Sequence, residues 1–210
     1  LGSAALSEEP EERSVIPSEN RPAEAACGGR FVHAYYGGGK GKTTAAIGLA
    51  VRAAGAGLKV AFLQFDKGWD RERGEHYAER AILRSIPGIE LVVTGCGRIR
   101  EDGTFRFGVE AADRLEAERA LTESQALLSG GYDLVVLDEA LAALAYGLVT
   151  EEELLGILEA HAAAGRPCEL VLTGHKLPES IKSRADLVTH MRKVKHYFDN
   201  GVAARPGIEF

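Results

Sequence analysis

The sequence lacks the features that mark several classes of protein. Its three cysteines, Cys27, Cys96 and Cys168, are far apart and form no C-x-x-C pair, so we expect neither a disulfide framework nor a zinc site. No apolar run approaches the ~20 residues of a membrane span, and the N-terminus lacks the basic-then-apolar order of a signal peptide. The net charge of -6 argues against a nucleic-acid surface, which is usually basic. We therefore expect a cytoplasmic protein that binds neither membranes nor nucleic acid.

The chain length and its composition predict one folded domain. Residues 1–29 are rich in Glu, Pro, Ser and Ala and show no sustained periodicity, so they cannot bury enough apolar surface to order themselves. We expect a flexible acidic arm over 1–29 and a single domain over 30–210, because 210 residues are too few for two well-developed domains once the arm is subtracted.

Short apolar runs alternate with helix-length amphipathic stretches from residue 30 onward, which predicts an α/β fold with a mostly parallel central sheet. Apolar runs predict strands at 31–36, 58–65, 89–93, 132–137, 168–173 and 185–189. Helices are predicted at 43–56, 75–85, 109–128 and 150–164, the last opening with a capping box formed by Thr150 and Glu153.

A glycine-rich loop lies between the first predicted strand and the first predicted helix. It comprises Gly37, Gly38, Gly39, Lys40, Gly41, Lys42, Thr43 and Thr44. Glycines let backbone N–H groups converge on phosphate oxygens, Lys42 adds positive charge, and the Thr43 hydroxyl can ligate Mg²⁺ at the helix start. A merely flexible glycine turn would leave these lysines and threonines unexplained. The loop therefore predicts ATP binding and a three-layer, P-loop NTPase-like fold.

The spacing of this loop departs from the usual phosphate-loop pattern. G-x-x-x-x-G-K-[ST] requires glycine where Tyr36 stands, so the loop is one residue short.

An acidic pair supplies the expected second half of such a site. Asp138 and Glu139 follow the apolar run of the fourth predicted strand, and ligands bind at the carboxyl ends of strands in open α/β sheets. We predict that this pair and Thr43 hold Mg²⁺ or Mn²⁺. The alternative is a strand-terminating acidic pair in solvent, and which of the two carboxylates touches the metal stays open.

Several other residues leave both a functional and a structural interpretation open. The loops at 64–75 and 94–100 should face the same cleft as the glycine loop. Trp69, Phe105 and Phe107 could cover a ligand or pack within their loops. The basic cluster, comprising Arg192, Lys193, Lys195 and His196, could meet phosphates or form a solvated face. His33 and His161 are interpreted as structural or exposed.

The glycine loop and the helix behind it resemble those of the ATP:corrinoid adenosyltransferases of the cobalamin pathway. The short loop is characteristic of that family, and the resemblance covers about residues 30–210. Further matching segments occur in the same order: Gln64-Phe65, Lys67-Gly68, Gly74-Glu75, Leu137-Asp138-Glu139, Leu172-Thr173-Gly174, Ala185-Asp186-Leu187-Val188-Thr189, Val194-Lys195-His196 and Gly207-Ile208-Glu209-Phe210.

This resemblance implies transfer of the 5′-deoxyadenosyl group of ATP to the cobalt of a reduced corrinoid, with triphosphate as the leaving group. Family members hold ATP in a reversed direction across the loop, so Lys42 and Thr43 are implied to stabilise the departing triphosphate. The resemblance also implies a homodimer and a flavin-type reductase as a partner. A generic P-loop ATPase or small-molecule kinase is the alternative enzyme, and a corrinoid carrier without turnover is the alternative binding protein.

The sequence departs from the family pattern in places. Gly38 replaces a common asparagine, His175 and Lys176 stand where an arginine is usual, and His190 replaces a glutamate. Several members carry an aromatic-rich Trp-Glu-Thr segment that contacts corrinoid, where this chain has residues 95–100. The corrinoid-binding residues are therefore unassigned.

Overall fold

The structure is a computed structural model that describes residues 29–68, 75–98, 106 and 108–210. The predicted arm, apart from Gly29, lies outside the described residues, as do Cys27, Trp69, Phe105 and Phe107.

Six strands form one sheet in the described part of the chain. They are β1 (Val32–Tyr36), β2 (Val60–Gln64), β3 (Ile89–Val93), β4 (Leu134–Asp138), β5 (Glu169–Gly174) and β6 (Leu187–His190). Their order is β3-β2-β4-β5-β1-β6, and every pairing between them is parallel. The carboxyl ends of all six strands therefore lie at one edge of the sheet.

Helices cover both faces of this sheet. They are α1 (Lys42–Gly55), α2 (Glu79–Ser85), α3 (Ala111–Ser129), α4 (Ala140–Ala145), α5 (Glu151–Ala163) and α6 (Glu179–Lys182), and a 3-10 turn follows at Tyr197–Asn200. One face packs on α1 and α2 through alanines of α1 and Leu83. The other packs on α3, α4, α5 and α6. Alternate residues of β2 point to opposite clusters: Val60 and Phe62 to the first, Ala61 and Leu63 to the second. The result is three layers.

The predicted fold class is confirmed, and the sheet is wholly parallel within the described residues rather than mostly so. The capping box of Thr150 and Glu153 is present at the start of α5. The second predicted helix begins later, at Glu79, because the Glu75 carboxylate instead receives hydrogen bonds from Arg80, Arg84 and the Tyr77 amide.

Two short helices, α4 and α6, were not predicted. The sequence of α4 is ALAALA, and its first four residues are all buried. A helix that is apolar all round has no amphipathic period for sequence analysis to detect.

Candidate active site

The phosphate loop follows β1 and is packed tightly against two neighbouring segments. The Gly37 amide donates to the Gly174 carbonyl at the end of β5 (3.1 Å), and the Gly39 amide donates to the Met191 carbonyl just after β6 (2.7 Å). A Cβ at Gly39 would lie 2.6 Å from that Met191 oxygen, closer than real contacts allow. Glycine at this position is therefore needed for packing as well as for the approach of a phosphate.

The two lysines of the loop are bound by the protein in different ways. Lys42 is 7% exposed, and its Nζ donates to the carbonyls of Gly37 (2.9 Å) and Gly39 (2.8 Å). Burial lowers the pKa of Lys42. Lys40 points to the C-terminal segment, where its Nζ donates to the Ile208 carbonyl (2.6 Å) and contacts Glu209 Oε1 at 2.5 Å. Both ammonium groups contact oxygen atoms of the protein. Each lysine would have to leave these partners in order to bind a phosphate.

Asp138, at the end of β4, is fully buried. Its Oδ1 accepts from the Thr173 hydroxyl (2.7 Å), and its Oδ2 accepts from Lys67 Nζ (2.7 Å). The alternative that this pair lies in solvent is wrong for Asp138. Thr173 lies in β5 and bonds both acidic residues. In the sequence it stood out only as part of a segment that matches the family.

Glu139 adopts a strained backbone conformation beside Asp138. Its φ of 62° is in the left-handed region, which costs a residue with a side chain free energy and is common at functional sites. The Glu139 amide donates to Thr173 Oγ1 (2.8 Å), which helps to fix this turn. Burial, and then the negative charge of Asp138, raise the pKa of Glu139.

Lys67 is the functional candidate that sequence reasoning missed. Its Nζ lies 3.4 Å from Thr43 Oγ1 in addition to its contact with Asp138, so it joins the phosphate loop to the acidic pair. Burial alone would lower the pKa of Lys67, but the charges of Asp138 and Glu139 outweigh burial and raise it. Two signals in the sequence pointed to Lys67: its position in the loop after a buried strand, at the carboxyl edge of the sheet, and its place in a segment that matches the family.

The oxygen atoms near Lys67 fit a hard cation such as Mg²⁺. One hydroxyl, of Thr43, and two carboxylates, of Asp138 and Glu139, converge here. Mg²⁺ typically takes one or two carboxylates and completes its shell with phosphate oxygens and water. Among the described residues there is no group of three or more His, Cys, Asp or Glu side chains that could hold a metal ion.

Lys67, Asp138 and Glu139 are called the charged group below. A cavity of about 330 Å³ adjoins it. Lys67 and Glu139 lie on its wall, together with the aromatic residues His76, Tyr77, Tyr146 and Phe210. The ring of Phe210 stacks on His76 with 4.2 Å between centroids, so the C-terminal segment forms part of the wall. Aromatic side chains with a few charged groups among them are typical of the lining of a small-molecule site.

Ion pairs hold the two loops that follow β2 and β3 at this cavity. Arg98 Nε lies 2.8 Å from both carboxylate oxygens of Asp66, and both side chains are largely buried. A Cβ at Gly68 would lie 1.8 Å from the Gly95 carbonyl oxygen, so the loops touch backbone to backbone. The prediction that both loops face the phosphate-loop cleft is confirmed for the first loop, where Lys67 contacts Thr43; Cys96 and Arg98 of the second loop line the adjoining cavity.

The other candidates have local partners. His161 is buried, and its ring bonds the Cys168 carbonyl, whereas His33 contacts Glu169, so both are structural. Of the basic cluster, Lys193 pairs with Asp199.

Cys96 and Cys168, the cysteines within the described residues, are free thiols. None of the helices in this part of the chain combines the length and the apolar character of a membrane span.

Comparisons with known proteins agree with this geometry. Residues 29–210 match the family described as ATP:corrinoid adenosyltransferase BtuR/CobO/CobP. The chain is 36% identical over 196 residues to the corrinoid adenosyltransferase of Escherichia coli strain K12, covering 90% of each protein. It is 32% identical over 200 residues to that of Pseudomonas aeruginosa, covering 94% of this chain and 91% of the relative. It is 34% identical over 178 residues to the corrinoid adenosyltransferase CobA of Salmonella typhimurium, covering 84% and 83%. The chain therefore belongs to the ATP:corrinoid adenosyltransferase family.

Proposed function

We propose that this protein transfers the 5′-deoxyadenosyl group of ATP to the Co(I) of a reduced corrinoid in adenosylcobalamin biosynthesis or salvage. The two electrons of Co(I) form the bond to C5′, the C5′–oxygen bond breaks, and its electron pair leaves with inorganic triphosphate. Co(I) is a strong nucleophile and needs no protein base. The protein must mainly hold C5′ in line with cobalt and stabilise the charge that gathers on triphosphate.

Lys42 and Thr43 are the residues proposed to act on the triphosphate. Lys42 would leave the carbonyls of its own loop for phosphate oxygens, and the amides at the start of α1 face the same place. Gly37 to Thr44 would surround the phosphates. We propose that Thr43, Asp138 and Glu139 hold Mg²⁺ or Mn²⁺. When bound, the metal would neutralise part of the triphosphate charge.

One observation carries this proposal: the charged group and the aromatic cavity share Lys67 and Glu139 as wall residues. A nucleotide held at Lys42 and a corrinoid held in the cavity would therefore meet at one edge of the sheet. We propose that the cavity wall, including Tyr77 and Phe210, contacts the corrinoid.

The decisive experiment is product identification. The protein is incubated with ATP, Mg²⁺ and chemically reduced cobinamide or cobalamin. We expect inorganic triphosphate and a light-sensitive cobalt–carbon product in equal amounts. Formation of ADP and phosphate instead would support the generic ATPase or kinase.

A variant distinguishes the enzyme from a corrinoid carrier. Lys42→Ala should abolish adenosylation, whereas the same change at the exposed Lys59 should leave it intact. Stoichiometric corrinoid binding by the wild-type protein without any turnover would support the carrier.

The assembly, the reductant and the location are further parts of the proposal. The strand β6 lies at the sheet edge, and four large apolar side chains in this part of the chain are exposed: Leu187, Val188, Val194 and Phe198. This suits a homodimer, and light scattering that gives a monomer would contradict it.

We propose a cytoplasmic enzyme supplied with electrons by a flavin-type reductase. Adenosylation that starts when reduced flavoprotein replaces the chemical reductant would support this.

We also propose that residues 30–210 form the catalytic domain and that the arm over 1–29 is not needed for adenosylation. The match over residues 29–210 supports this division. Full adenosylation after the arm is removed is the expected result.

A further inference from the structure

The Lys67 ammonium lies between two of the oxygen groups assigned to the metal. Its Nζ is 2.7 Å from Asp138 Oδ2 and 3.4 Å from Thr43 Oγ1. The Asp138 side chain is 0% exposed and that of Lys67 13%, so little water can replace the ammonium. A divalent cation that bridged the same hydroxyl and carboxylate would need the space that this ammonium fills.

The Lys67 ammonium already places a positive charge on the buried Asp138 carboxylate. A divalent cation alone would add two more positive charges next to this ammonium, which is costly at low dielectric. A triphosphate that enters with the metal would supply the missing negative charge.

The backbone of Lys67 is fixed, so any rearrangement must come from the side chain. The Lys67 amide donates to the Thr94 carbonyl (3.0 Å), and the Lys67 carbonyl accepts from Arg80. The neighbouring Gly68 is packed against the Gly95 carbonyl. The ammonium lies 5.4 Å from the centre of the Tyr77 ring.

We propose that Lys67 is the resident cation of the metal site: it holds the place of the metal in the nucleotide-free protein and moves onto the triphosphate when metal and ATP enter together. This rests on the proposed use of Thr43 and Asp138 by a metal–nucleotide complex. Lys67 would then contribute to catalysis together with Lys42. The metal would bind weakly before the nucleotide and tightly with it.

The test measures metal binding without nucleotide. Full-length wild-type protein and Lys67→Met are titrated with Mn²⁺ at pH 8, and free Mn²⁺ is followed by electron paramagnetic resonance. Methionine removes the charge and keeps an unbranched side chain. We expect Mn²⁺ to bind Lys67→Met at least about tenfold more tightly, as for other close charge pairs. Unchanged or weaker binding would overturn the proposal. Lys59→Met, at an exposed lysine, is the matched control and should match the wild type.

Lys67→Arg keeps the inference testable if Lys67→Met does not fold. Arginine retains the positive charge, so its Mn²⁺ affinity without nucleotide should stay as low as that of the wild type. Tight binding of Mn²⁺ to Lys67→Arg would contradict a cation that holds the metal's place.

A second titration examines the movement onto phosphate. Inorganic tripolyphosphate with Mg²⁺ is titrated calorimetrically, and we expect Lys67→Met to bind it about tenfold more weakly than the wild type or Lys67→Arg. Equal affinities would overturn this half of the proposal. The product assay on the wild-type protein separates the two proposals: ADP formation contradicts the adenosyltransferase, whereas adenosylation with no change in Mn²⁺ affinity contradicts only the role of Lys67.

Discussion

Glu209 Oε1 lies 2.5 Å from Lys40 Nζ, so the C-terminal segment is tied to the phosphate loop. The same carboxylate is also contacted by Tyr197 and Arg205. Because the next residue, Phe210, forms part of the cavity wall, this contact connects the proposed nucleotide and corrinoid sites.

Removing the charge of Glu209 should therefore affect the corrinoid more than the chemistry. For Glu209→Gln we expect the KM for corrinoid to rise several-fold and kcat to change little, because the segment that carries Phe210 is held less firmly. Steady-state kinetics with varied corrinoid measure both constants. Glu159→Gln, at an exposed surface pair with Arg184, is the control. A fall in kcat with an unchanged KM would contradict this interpretation.

Thr43 should be required for its hydroxyl rather than its size. We expect Thr43→Ala to reduce kcat by about 10²-fold, the typical cost of removing one group that stabilises transition-state charge. Thr43→Ser keeps the oxygen and should retain activity within a few-fold. Rates measured over a range of Mg²⁺ concentrations should show a higher Mg²⁺ requirement for the alanine variant only. Equal loss in both variants would point to packing instead.

Asp113 should stabilise the fold through Arg106. The Asp113 side chain is fully buried and receives hydrogen bonds from both terminal nitrogens of Arg106 (2.8 and 2.6 Å). We expect Asp113→Asn to lower the free energy of unfolding by about 2 kcal/mol, because it weakens the hydrogen bonds that the charged Arg106 donates to this buried carboxylate. Urea unfolding measures the change. Asp199→Asn, at an exposed pair with Lys193, should cost less than about 0.5 kcal/mol.

The contribution of Asp113 should also depend on pH. Hydrogen bonds from Arg106 hold the pKa of this carboxyl well below its ordinary value. The stabilisation is therefore present at neutral pH and is lost as pH falls below about 4, where the unfolded chain takes up the proton first. A difference between wild type and Asp113→Asn that stays constant from pH 7 to pH 3 would contradict this.

His76 should make stability depend on pH in the mildly acidic range. Burial, and then the charge of Arg80, lower the pKa of His76. The unfolded chain thus binds a proton at a higher pH than the folded protein does, so stability is lost as pH falls below about 6.5. Between pH 8 and pH 5.5, the unfolding temperature of the wild type should fall more than that of His76→Asn. Parallel curves would contradict the assignment.

Much of the fold was predictable because its signals are local. The apolar runs of β1 to β6 and the amphipathic periods of α1, α3 and α5 occur within short windows of sequence, so their predicted positions lie close to the observed ones. The all-apolar α4 carries no such period and was not predicted. Asp138 was predicted as a site residue from its place after a buried strand, and its complete burial contradicts the alternative of a solvent-exposed carboxylate.

The sequence by itself determined the chemistry that is encoded locally: a one-residue-short glycine loop before α1, Lys42 and Thr43 at the helix start, and acids after β4. Only the tertiary structure decided which distant groups meet them. The strand order places β5 between β1 and β4, so Thr173 bonds Asp138, and the loop after β2 brings Lys67 to both Asp138 and Thr43. Lys40 and Glu209 are 169 residues apart in sequence. Such contacts follow from the three-dimensional arrangement of strands and loops, which no local period or spacing specifies.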